Sequence, residues 1–222
     1  MSADTPSPIC ILDRSGAVAP GDVLDIWISN VKQLREEFCS VHGIPAPECH
    51  YAATPEQVPA GCIVTQIERT SDEPGAAAYH FVDDRGVPAA KAFLDGGELS
   101  VLLGHELLEM TWDPYCNIWR PARDGFSYAQ EACDATQGDT YEIDGIKVPN
   151  FLYESFFDPD GKAPYDRLGL ITKPFETRPG GYQIRDRGDP VWGAAFPEHM
   201  KAGKLLGRLA ERRAAQARMV SQ

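Results

Sequence analysis

Apolar residues in the first half of the chain follow two rhythms. Ile9-Cys10-Ile11-Leu12 is a short apolar run that suits a buried strand. After Pro20-Gly21-Asp22, the residues Val23, Leu24, Ile26, Trp27, Val31, Leu34 and Phe38 recur at steps of three and four, with Lys32, Arg35, Glu36 and Glu37 between them. That spacing predicts an amphipathic helix, with Asp22 placed to cap it. Four strand-like runs come next, at 50–53, 62–67, 77–82 and 89–94, separated by turn-forming pieces such as Asp72-Glu73-Pro74-Gly75 and Asp83-Asp84-Arg85-Gly86.

A second helix is predicted to start near Glu98 and to run through Val101, Leu102, His105, Leu108, Glu109 and Trp112. Asp113-Pro114 ends it, because proline disfavours helix at the residue before it. Beyond that point the pattern predicts a short helix over 128–135 and a hairpin over 141–148 turning on Asp144-Gly145. A loop-rich stretch covers 158–189, and a last helix begins near Pro197. Together these elements predict an α+β fold: a mixed sheet with an N-terminal helix, a helix carrying the site, and an irregular C-terminal subdomain. One domain spans 1–198, with its core at about 8–135 and the hairpin and loops at 136–198, and a basic helix occupies 199–222.

Charge narrows the choice of partners. The 222 residues carry 33 acidic and 21 basic side chains, a formal charge of −12, which argues against nucleic-acid binding through clustered basic groups. After Glu198 the balance reverses: six Lys or Arg face the single Glu211, so the tail is +5 and the rest −17. A basic terminal helix suits an acidic partner or an acidic particle surface. No apolar run approaches the roughly 20 residues of a bilayer span, and Met1-Ser2-Ala3-Asp4 has no secretory character, so the expectation is a cytoplasmic protein or a particle component. The six cysteines form no C-x-x-C pair and read as buried thiols, Cys133 being notable for its acidic neighbours.

The chemistry concentrates in Gly104-His105-Glu106-Leu107-Leu108-Glu109-Met110. Positions i and i+4 of a helix share a face, so His105 and Glu109 can hold one divalent cation, zinc being the expected one. Glu106, one step round, stands beside such an ion as a general base. The many leucines around these residues predict a buried helix, where unpaired charges would be costly. Glu131 is the favoured third ligand, with Asp134 accepting a hydrogen bond from the other ring nitrogen of His105; Asp134 or Cys133 as the ligand stays open. Among the other histidines, His42, His50 and His199 have no partner at metal spacing, and His80 on its strand reads as structural or as lining a cleft. Tyr128, Tyr141 and Tyr182 are candidates for stabilising an oxyanion.

The element order over residues 8–135, ending in a helix with H-E-x-x, resembles the zincin metallopeptidase core. More narrowly, Tyr79-His80, the 104–110 segment, Asp113-Pro114, Glu131-Ala132-Cys133-Asp134 and Tyr141-Glu142-Ile143-Asp144-Gly145 are similar to a set of bacterial and prophage-associated proteins. The resemblance implies His105 and Glu109 as metal ligands, Glu106 as base, and Glu131 as the third ligand, as in the gluzincin branch. It departs at Glu109, where zincins carry a second histidine. The activity it implies is that of a zinc-dependent hydrolase acting on peptide or protein substrates. A non-catalytic phage-particle component that keeps the fold, and an interaction domain without metal, are the rival expectations.

Overall fold

The computed structural model describes residues 6–198, 200 and 201. The terminal helix expected over 199–222 lies outside the described residues except for Met200 and Lys201, as does His199. The chain forms a mixed α/β structure in which β1 (Ile9–Asp13) lies second in a five-stranded sheet. The sheet order is β2, β1, β3, β5, β4, where β2 is Cys49–Ala52, β3 Ile63–Glu68, β4 Ala78–Val82 and β5 Pro88–Phe93. β1, β2, β3 and β5 run parallel, and β4 lies antiparallel at the edge beside β5. The continuous apolar run of β1 is explained by this position: Ile9 and Ile11 face the main core, and Cys10 and Leu12 face a smaller cluster with Ala52 on the opposite side.

Two helices cover the main face. Helix α1 (Pro20–Lys32) continues without a break into a π-helical stretch, Gln33–Phe38, and a last turn, α2 (Cys39–His42), that ends on Gly43 in the left-handed conformation. Asp22 lies within the first turn of α1 and makes no capping hydrogen bond; Ala19 holds the cap position instead. Helix α3 (Leu99–Trp112) is buried along its centre, with Leu103, Leu107, Leu108 and Met110 at most 1% exposed. Each such side chain contributes about 1.5–3 kcal/mol of burial. Close approach depends on small residues: Ala90 and Ala92 of β5 are fully buried in this core, and a Cβ on Gly104 would come within 2.7 Å of Pro149 and 3.0 Å of Asn30 Oδ1. Asn30 in turn donates to the carbonyl of Ser100, tying α1 to the start of α3.

The second half is built from short pieces: β6 (Trp119–Pro121) with β7 (Ser127–Ala129), β8 (Thr140–Ile143) with β9 (Ile146–Pro149), and β10 (Tyr182–Gln183) with β11 (Val191–Trp192). The predicted hairpin is present, turning on Asp144 and Gly145 with φ of 53° and 80°. The predicted helix over 128–135 is not. Its backbone is spent on tertiary partners: the Gln130 amide donates to Ile118, and the Ala132 carbonyl accepts from Leu152. Only Asp134–Thr136 turn, in a short 3-10 segment. Gly181 packs against this turn so closely that a Cβ there would stand 2.4 Å from the Ala135 carbonyl oxygen. Among the described residues no helix is long and apolar enough to cross a membrane.

Candidate metal centre

Helix α3 presents His105, Glu106 and Glu109 toward β4 and the 130–137 segment, all nearly or fully buried. One turn apart, His105 Nε2 and Glu109 Oε1 stand 3.0 Å from each other. Asp134 Oδ1 lies 3.1 Å from the same nitrogen. A single Nε2–H bond thus faces two carboxylate oxygens at nearly equal distance. Two donors each 2.0–2.2 Å from one tetrahedral ion stand roughly 3.3–3.6 Å apart, so His105 and Glu109 need only a small opening to hold a cation; the Cys133 sulfur lies within 4.8 Å of both ligand atoms, and Asp134 must turn from its contact with Nε2 to join them. The 3-10 turn and the approach of Gly181 fix Asp134, and the Cys133 amide donates to Glu109 Oε1 at 3.2 Å, fixing that carboxylate from the loop side.

The favoured third ligand of the sequence, Glu131, is placed differently. Its Oε2 faces His80 Nε2 at 3.9 Å, whereas Asp134 meets the His105 nitrogen that Glu109 also meets. His80 itself, read from sequence as structural, is at the centre of the cluster. Strand alternation on β4 turns Ala78 and His80 toward α3, and His80 Nδ1 lies 3.2 Å from Glu106 Oε2 and 3.5 Å from Glu109 Oε2. The signal that could have found it is parity: His80 shares its side of the strand with Ala78, the small-residue side that the helix covers. Of the three tyrosines considered, Tyr128 donates to Asp124, Tyr141 donates to Glu37, and Tyr182 is buried beside Trp192 and Phe196.

The electrostatics arise from crowding acids and imidazoles out of water. Burial pushes the His105 imidazole down, but Glu109, Asp134 and Glu106 override it and hold it at about 10. Burial likewise lowers His80, and the Cys116 sulfur and Glu131 carboxylate raise it well above the ordinary value. Cys133 is pushed well above the usual thiol range, first by burial and then by Glu109 and Asp134. Its sulfur lies within 4.8 Å of the ligand atoms of His105 and Glu109, and a thiol gives up its proton on coordinating a cation, so Cys133 stands beside Asp134 as an alternative third ligand. Four acids, Glu106, Glu109, Glu131 and Asp134, are thus buried around two imidazoles, a donor set that a divalent cation complements. His80 Nε2, on a side chain 1% exposed, makes no hydrogen bond among the described residues. These features fit a metal site of mixed nitrogen and oxygen donors, for which zinc is one suitable ion.

One wall of the site opens to a cleft of about 300 Å³. Its lining includes Ala77, Gly96, Glu98, Lys147, His105 and Glu106, so the edge strand and the start of α3 meet there. Gly96 is required by the fit: a Cβ would stand 2.6 Å from the Ala77 backbone. The chain matches no protein-family model, no curated protein and no solved structure.

Proposed function

We propose that this chain is a divalent-cation-dependent hydrolase of peptide bonds with zincin-like organisation, zinc being the cation its donors suit. The observation that carries the proposal is the convergence of His105 Nε2, Glu109 Oε1 and Asp134 Oδ1 within 3.1 Å of the shared nitrogen, beside a cleft that Glu106 also lines. His105, Glu109 and Asp134 would hold the ion, with Asp134 taking the part the sequence favoured for Glu131. When bound, the ion supplies Lewis acidity and lowers the pKa of water to roughly 7.

The remaining roles belong to the chain. Glu106 accepts the proton of the attacking water, and His80 Nδ1 at 3.2 Å holds that carboxylate in place. A substrate would reach Glu106 and His105 through the cleft that both line. A second reading draws on the same acidic donors. One imidazole and two carboxylates weaken the Lewis acidity of a cation, which suits a non-catalytic phage-particle component that keeps the ion for stability.

Glu106→Gln separates the two. If hydrolysis of a mixed peptide library is seen in the wild type and disappears in this variant with one equivalent of metal still bound, the hydrolase reading holds. Full activity in the variant, or a metal-loaded wild type that turns over nothing, removes it.

A further inference from the structure

Glu109 has a histidine on each side. Oε1 faces His105 at 3.0 Å, and Oε2 faces His80 at 3.5 Å. On the second side Glu106 Oε2 joins at 3.2 Å from His80 Nδ1, and the ligand atoms of His80, Glu106 and Glu109 all lie within 4.8 Å of one another. We infer that His80, Glu106 and Glu109 form a second divalent-cation site, joined to the first through the two oxygens of Glu109, and that filling it switches hydrolysis off.

Three observations carry this. The first is spacing: 3.2 and 3.5 Å between the imidazole nitrogen and two carboxylate oxygens is close to the separation of donors around one small ion. The second is His80 itself. With a cation on Nδ1 the ring proton resides on Nε2, the buried atom that makes no hydrogen bond among the described residues; Glu131 Oε2, 3.9 Å away, faces it and would have to close in to accept that proton. A metal-bound histidine oriented through its other nitrogen by a carboxylate is a common arrangement. The third is composition: four acids, Glu106, Glu109, Glu131 and Asp134, are buried around two imidazoles, more acidic groups than one divalent cation matches.

The consequence for activity rests on the proposed function above. A cation on Oε2 lowers the basicity of the whole Glu106 carboxylate, so Glu106 is a much weaker proton acceptor while it is a ligand. The first cation therefore activates, and the second inhibits by taking the base.

The experiment titrates metal-free full-length protein with zinc chloride by calorimetry, with hydrolysis followed in parallel. Two equivalents in the wild type and one in His80→Ala, with the wild-type rate rising through the first equivalent and falling through the second, is the expected result. One equivalent in the wild type, two in the variant, or a rate that keeps rising through the second equivalent overturns the inference and leaves the proposed function standing. No binding at all overturns both. Should His80→Ala fail to fold, manganese-loaded wild type decides: two ions sharing a carboxylate give a spin-coupled resonance spectrum, and isolated ions alone contradict the second site.

Discussion

Helix α3 touches two histidine environments, one fully buried and one half-buried, whose neighbours differ in kind. At its centre His105 and His80 sit among Glu106, Glu109, Glu131 and Asp134, and the carboxylates hold both imidazoles above their ordinary range. At its end Trp112 packs on His42, 4.4 Å between ring centroids, inside a box completed by Phe38, Phe151 and Tyr153. There burial dominates and pushes His42 down to about 4, with the hydrogen bond from Nε2 to the Leu152 carbonyl opposing it. One fold thus stabilises charge at one place and refuses it at another only a few turns away. A histidine is therefore informative through its neighbours: the aromatic box is a packing solution, whereas the acidic nest is where we propose a cation.

The largest effects should come from breaking the acidic nest. Glu106→Gln should lower peptide hydrolysis at one equivalent of zinc by about 10²–10⁴-fold, the usual worth of a general base, with the first equivalent still bound in a calorimetric titration. Asp134→Asn should weaken zinc binding at least about 100-fold in a competition titration, since even residues that only support ligands are worth 10–100-fold. Glu131→Gln should cost less than Asp134→Asn; the reverse order would restore the assignment favoured by the sequence.

The aromatic box should respond to pH alone. His42 has a folded value of about 4 against 6.5 for the ordinary side chain, so the unfolded chain binds the extra proton between those values. The stability contributed by neutral His42 is whole above pH 6.5 and is lost as pH falls toward 4, a change of about 3 kcal/mol. Denaturant melts of wild type and His42→Phe at pH 7 and pH 4 should differ by that amount in their pH response, with zinc binding at pH 7 unaltered. Smaller still is Gly104→Ala, which should destabilise by about 1–3 kcal/mol by forcing α3 away from Pro149, measured by the same melts.

The sheet and the helices were legible because their signals are local. β1 and β3 to β5 fall within a residue or two of the predicted runs, and α3 begins at Leu99 and ends before Asp113-Pro114 as its pattern implied. The pairing of His105 with Glu109 was legible for the same reason, being a property of helix geometry. What the pattern could not carry was tertiary. Residues 128–135 have helical spacing of their acids, but Ile118, Leu152 and the close approach of Gly181 claim their backbone, and the extended path brings Asp134 rather than Glu131 to His105. His80 was hidden because its partners are 26 to 51 residues away in sequence and only sheet pairing brings β4 over α3.

Crystals soaked in zinc and measured at the zinc absorption edge would locate the cation itself. An anomalous peak is expected about 2.0–2.2 Å from His105 Nε2 and from carboxylate oxygens of Glu109 and Asp134. A peak ligated by Glu131 in place of Asp134, or no peak with the hydrogen bonds of His105 to both carboxylates intact, would refute the metal centre as assigned.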